Sequence, residues 1–212
     1  VLVLLLLTAL TACGGGRTET AAAPLLEPAA GGTLSFGVVG DSLTAGVGPA
    51  LAGTSVPGAG SWLPGAVGEP LDFRGGWAVP GARTADMAAG AVAIDADVLV
   101  VLAGTNDLAS GVPWPQVRDN LLTIVQVAGV DDVVLVDVPP LDLQPAAVGA
   151  FNAQLAELAD DQGWQLVDPW AHVRAGESWA PGASADGIHP TEAVADVVGT
   201  RIRAALLDSA RG

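Results

Sequence analysis

The chain has 212 residues, half of them apolar but only 4% aromatic, and a formal net charge of −15 with no Lys at all. So acidic a surface repels phosphate backbones and offers no basic patch, which argues against nucleic acid as a partner. Cys13 is the lone cysteine, which excludes an intramolecular disulfide and a thiolate metal cluster, so the fold must rest on packing of Val, Leu, Ile and Ala.

Residues 1–12 read VLVLLLLTALTA. The run is shorter than the ~20 apolar residues of a spanning helix and suits the h-region of a signal peptide. It ends in Leu10-Thr11-Ala12-Cys13, which resembles the lipobox of bacterial lipoproteins. That resemblance implies that Cys13 is lipidated and holds an exported protein on the outer face of the bacterial membrane; without lipidation the protein is secreted. The basic n-region such peptides carry is expected upstream of Val1. The alternative is a buried N-terminal strand with an incidental cysteine. Residues 13–32, rich in Gly, Ala and Pro, read as the lipidated cysteine and a flexible tether, which leaves residues 33–212 as one domain.

Within the domain, Thr33–Val39 reads as a short buried strand, followed by a Gly/Pro-rich loop from Gly40 to Gly60. Leu71–Val79 reads as an irregular second strand and Ala82–Ala93 as a helix. Asp97–Leu102 is a strongly apolar strand. Pro113–Ala128 is a helix, with Val117, Leu121, Ile124 and Val125 recurring on one face and prolines suited to its first turn. Asp132–Val138 is another buried strand. Pro145–Gln162 is a helix stopped by Gly163, Trp164–Val167 a last strand, and Thr191–Leu207 a C-terminal helix with Thr191 as N-cap. Strands alternating with helices predict an α/β fold: a parallel sheet covered on both faces and joined by right-handed crossovers. In such sheets reactive groups gather beyond the carboxyl ends of the strands.

Two motifs meet that condition, and a third precedes the last helix. Gly40-Asp41-Ser42-Leu43-Thr44 follows the first strand and can present the Ser42 hydroxyl to a cleft; it is also ordinary turn chemistry. Gly104-Thr105-Asn106-Asp107 follows the Asp97–Leu102 strand, where the Asn106 amide can donate to a developing oxyanion or simply close a turn. Asp186-Gly187-Ile188-His189-Pro190 precedes the last helix. There an acid three residues from a histidine can fix its tautomer and leave the other ring nitrogen free as a base, or the pair can be a loop carboxylate and a surface imidazole. The other histidine, His172, has no acid at matching spacing.

In this order the three blocks resemble those of the GDSL or SGNH hydrolases. The resemblance spans about Thr33 to Leu207 and adds a glycine block at Gly81, with Gly75 and Gly76 nearby as competitors. It implies a single three-layer α/β/α domain with a mostly parallel, flavodoxin-like five-stranded sheet. It implies a serine esterase or lipase-like acyl hydrolase with Ser42 as nucleophile, His189 as base and Asp186 as the orienting acid. The oxyanion hole falls to the backbone N–H groups of Ser42 and Gly81 and the side chain of Asn106. No metal or organic cofactor is needed.

The expected substrate is a small-molecule, lipid or acylated-sugar ester. A carbohydrate O-acetylesterase or an acyltransferase would share the same site, and a non-catalytic binding lipoprotein would share the scaffold. Asp41, Asp107, Thr44 and Thr105 read as loop-fixing side chains. Trp62, Trp114 and Trp179 read as buried loop anchors more readily than as a sugar platform.

Overall fold

The computed structural model describes residues 33–55 and 57–209. The signal-peptide run, Cys13 and the tether lie outside the described residues. The described part of the chain begins with β1 (Leu34–Gly40), α1 (Ser42–Ala45), β2 (Leu51–Ala52) and α2 (Leu63–Ala66). Next come β3 (Leu71–Ala78), α3 (Thr84–Gly90), β4 (Val98–Leu102), α4 (Thr105–Ser110) and α5 (Trp114–Ala128). β5 (Asp132–Val136), α6 (Pro145–Gln162), β6 (Gln165–Val167), a 3-10 turn (Ala171–Val173), the hairpin β7 (Arg174–Ala175) and β8 (Ser178–Trp179), and α7 (Glu192–Ser209) complete it.

The main sheet has the order β2-β3-β1-β4-β5-β6. β3, β1, β4, β5 and β6 pair in parallel, which is the flavodoxin-like order with its switch point between β1 and β4. The expected five-stranded sheet is therefore present, with a sixth strand added: β2 runs antiparallel along the edge of β3. β2 lay inside the segment read as a loop, because two residues carry no periodicity. The short helices α1, α2 and α4 escaped for the same reason. The irregularity of β3 is real, since its register against β1 shifts between Phe36 and Val38. α3 starts at Thr84 rather than Ala82, where the Asp86 carboxylate accepts the Arg83 N–H at 3.0 Å and Arg83 is still extended.

Because successive strand residues face opposite sides, the apolar strands split their side chains between two cores. Val98, Val100 and Leu102 of β4 pack with Leu43, Trp62, Val198 and Ile202 on one face. Leu99 and Val101 pack with Met87, Leu121, Ile124 and Leu155 on the other. The two-sided burial explains why β4 and β5 read as unbroken apolar runs. Among the described residues, no helix is long and apolar enough to cross a membrane.

One buried carboxylate is poorly matched to its surroundings. Asp137, just beyond β5, is buried with its Oδ1 lacking a hydrogen-bond partner. Arg174 approaches it only to 4.0 Å and is also paired with Asp168. Burial, reinforced by the Asp168 charge and opposed by Arg174, pushes the Asp137 carboxyl up to about 7. Its folded value then lies above the unfolded one, so the native protein holds a proton between about pH 4 and pH 7 that the unfolded chain has released, and stability falls as pH rises through that window. Asp137→Asn removes the buried charge. We expect it to raise the melting temperature by about 3–6 °C at pH 8, equivalent to ~1–2 kcal/mol, and to leave it unchanged at pH 5. An equal shift at both pH values would exclude charge burial as the cause.

Candidate active site

Parallel pairing of β1 with β4 sets Gly40 opposite Leu102, so the loops that leave these strands lie side by side. After β1 the chain turns at Asp41, whose buried side chain caps α1 by accepting the Leu43 N–H at 2.9 Å. Ser42 is the first residue of α1, so its backbone N–H has no intrahelical acceptor. After β4, Gly104 adopts φ +113° to start α4, and a side chain there would strike the Phe151 ring. This turn sets Asn106 beside Asp41. The Asn106 amide donates to the Ala82 carbonyl at 2.9 Å and to Asp41 Oδ2 at 3.2 Å. Gly81, with φ +79°, is the residue before Ala82 in the turn after β3. Gly75 and Gly76 lie instead within β3, where β1 and β3 meet.

His189 arrives from far along the chain. Its loop is closed by a bridge between Ser184 and Pro190, by the Thr191 N–H donating to the Ala183 carbonyl at 2.9 Å, and by the Asp142 N–H donating to the Gly187 carbonyl at 3.0 Å. Behind it, α7 lies against α2: a Cβ on Gly199 would sit 2.0 Å from the Trp62 carbonyl oxygen, and Arg203 donates to the carbonyls of Ala66, Gly68 and Glu69. α2 is tied in turn to α1, because the Ser61 hydroxyl donates to the Thr44 carbonyl at 2.6 Å and Trp62 Nε1 to Thr44 Oγ1 at 3.0 Å. α1 and α7 are thereby held by one continuous set of contacts.

The result is a linear hydrogen-bonded array. Ser42 Oγ lies 2.8 Å from His189 Nε2, and His189 Nδ1 lies 2.7 Å from Asp186 Oδ2. The other Asp186 oxygen accepts the backbone N–H groups of Ile188 and His189 at 2.9 and 2.7 Å. Burial pushes the Asp186 carboxyl upward, but the His189 side chain and these two N–H groups outweigh it and hold the group well below the usual carboxylate range. Asp186 is therefore ionised and can only accept. It follows that the hydrogen of the neutral imidazole sits on Nδ1, and Nε2 is free to take the Ser42 proton.

Around this array the supporting side chains act as the sequence suggests. Asp107 accepts both the Thr84 N–H and its hydroxyl, at 2.8 and 2.7 Å, and so fixes the start of α3. Thr44 is buried under Trp62, and Thr105 is buried as well. Trp62 and Trp179 are buried, while Trp114 packs edge-on against Phe151. His172 is exposed and bonded to the Pro169 carbonyl. Ser184 and a second role of Asp41 are missed by sequence reasoning. Ser184 accepts the Gly187 N–H at 3.0 Å and braces the Asp186 turn. Asp41 touches Asn106 as well as capping α1, and burial pushes its carboxyl up to about 7. No linear signal marks that second role, since the two residues are brought together only by strand pairing. Among the described residues, no group of three or more His, Cys, Asp or Glu comes together as a metal site.

Fold and site together define a three-layer α/β/α protein of the SGNH-hydrolase type. Residues 38–197 match the model of the GDSL-like Lipase/Acylhydrolase family, and the chain belongs to that family. Similar solved structures include a member of the lipolytic protein G-D-S-L family from Veillonella parvula, with TM-score 0.62, 19% identity, and coverage of 80% of this chain and 96% of that one. A GDSL-like lipase from Bacteroides thetaiotaomicron has TM-score 0.59 and 17% identity, covering 87% and 92%. A family 3 carbohydrate esterase from Clostridium thermocellum has TM-score 0.60 and 18% identity, covering 84% and 98%. At these identities the likeness concerns the fold. No curated protein matches the chain significantly in sequence.

Proposed function

We propose that this protein is a serine esterase that cleaves carboxylic esters through an acyl-enzyme on Ser42. The observation that carries the reading is the Ser42–His189–Asp186 array, with its 2.8 and 2.7 Å contacts. His189 Nε2 takes the Ser42 proton as Oγ attacks the carbonyl carbon. The tetrahedral oxyanion rests on the N–H groups of Ser42 and Gly81 and on the Asn106 amide, where it displaces the longer Asn106 contact, the one to Asp41. His189 then passes its proton to the departing alcohol oxygen as the C–O bond breaks. Water, deprotonated by the same nitrogen, attacks the acyl-enzyme and releases the acid.

A stoichiometric organophosphate ester checks the assignment. It is expected to add one phosphoryl group to Ser42, read by peptide mass spectrometry, and to leave Ser42→Ala unmodified. Labelling elsewhere with Ser42 untouched would remove Ser42 as nucleophile.

Membership of an acylhydrolase family supports hydrolysis over a non-catalytic binding role. The similarity to a carbohydrate esterase keeps deacetylation of a sugar as a second reading, and transfer to an acceptor other than water would use the same acyl-enzyme. Export and anchoring through Cys13 complete the proposal. They rest on the sequence of residues 1–13, and palmitate incorporation at Cys13 checks them.

A further inference from the structure

The cleft beside the nucleophile differs from a sugar site in what it lacks. A cavity of about 280 Å³ opens against Ser42 and His189, and its walls are Val47, Ala59, Gly60, Pro80 and Pro190. None of these wall residues has a polar side chain. A sugar ring is held by hydrogen-bonding side chains or an aromatic platform; among the described residues lining this cavity the only hydrogen-bonding side chains are the reacting ones, Ser42 and His189, and Trp62, Trp170 and Trp179 are buried in the cores. The volume lies at the lower edge of the ~300–1,000 Å³ range of small-molecule sites, so the group it takes is small.

The wall is also rigid. The Val47 N–H donates to the Ala59 carbonyl at 2.8 Å and the Gly58 N–H to the Ala45 carbonyl at 2.7 Å, zipping two loop segments together. Side chains at Gly46 or Gly58 would drive into the opposing backbone, so the two segments meet main chain to main chain. The Val47 side chain plays no part in that contact. It is 81% exposed, the highest value among the large hydrophobic residues described, yet it belongs to the rim of the cavity that holds the nucleophile. An exposed apolar side chain at that place has a partner only when an apolar group of the substrate lies against it.

Resting on the esterase reading above, we propose that this cleft binds a short apolar chain of the substrate ester, and that Val47 and Ala59 determine its length. The preferred substrates are then esters carrying a short unbranched alkyl or acyl group rather than acetylated sugars. The chain can come from the acyl or the alcohol side, because the cavity touches both Ser42, where the acyl group is held, and His189, which protonates the leaving alcohol.

Two substrate series test this. In one the alcohol is p-nitrophenol and the acyl chain grows from acetate to octanoate. In the other the acid is acetate and the alcohol grows from ethyl to octyl, followed by proton release. We expect kcat/KM to rise about 3–4-fold per methylene in one series, corresponding to ~0.8 kcal/mol each, and to level off or fall once the cavity is full. The rising series identifies the source of the chain. Ala59→Trp should shift the optimum to shorter chains, and Val47→Asp should flatten the rise. Both side chains stand clear of the backbone bridge, so far-ultraviolet circular dichroism of both variants should match the wild type. If neither series rises, or if an acetylated oligosaccharide outperforms every alkyl ester, the inference fails while the esterase reading stands. Absence of turnover on every ester tested overturns both.

Discussion

His189→Ala is expected to lower kcat/KM for any ester substrate by about 10⁵–10⁶-fold, and Ser42→Ala to have an effect of the same size. The expectation follows from the array itself. Among the described residues, Ser42 Oγ has His189 Nε2, at 2.8 Å, as its basic partner, and a neutral serine hydroxyl is a poor nucleophile without one. The two groups work on one proton, so the effects do not add: Ser42→Ala/His189→Ala should be no slower than either single variant. On the proposed mechanism, what activity remains in all three is expected from the oxyanion donors and from substrate binding. Initial rates with p-nitrophenyl esters at high enzyme concentration measure this. A double variant slower than the singles by the product of their effects would show that Ser42 and His189 act independently, contrary to a nucleophile–base pair.

Asp186→Asn comes next, with an expected loss of about 10³-fold in kcat. Triads in which the acid is buried lose ~10⁴ on this change. Here the Asp186 and His189 side chains are 53% and 44% exposed, so water screens the carboxylate and substitutes for part of its effect on the imidazolium. The remaining loss is orientational. An asparagine amide placed toward Nδ1 favours the wrong tautomer and leaves the hydrogen on Nε2, where it blocks proton abstraction. Asp186→Ala is the harsher change, because Asp186 Oδ1 also holds the backbone N–H groups of Ile188 and His189, and the whole turn loosens with it. Comparing the two variants separates tautomer control from loop bracing. If Asp186→Asn keeps more than a tenth of wild-type kcat, Asp186 is a bracing residue alone.

The two predictions depend on different links. The first depends only on the closeness of a hydroxyl and an imidazole. The second depends on Asp186 being ionised, for which the hydrogen bonds it receives supply the cause. The pH behaviour of the fold is governed elsewhere. Asp41 and Asp137 are both pushed up to about 7 by burial, and both make the folded protein more stable toward mildly acidic pH, since each carboxyl is neutral in the native state where the unfolded chain has already ionised.

The sequence by itself determined the layer architecture. β4 and β5 are apolar on both faces, α5 carries an apolar stripe, and Gly163 stops α6; these are local signals, and the structure agrees with them to within a residue or two. The placing of the three motifs beyond strand ends or before the last helix was legible too, because parallel α/β sheets gather their reactive groups at one end. What the tertiary structure alone decided is the convergence of those motifs. Ser42 and His189 stand 147 residues apart. They meet because α7 closes on α2 through facing glycines and α2 is bonded to the segment that carries Ser42. The short elements α1, α2, α4 and β2, the contact of Asp41 with Asn106 and the apolar cleft belong to the same category. Each depends on which distant segment packs alongside, and a side chain's linear neighbours carry no record of that.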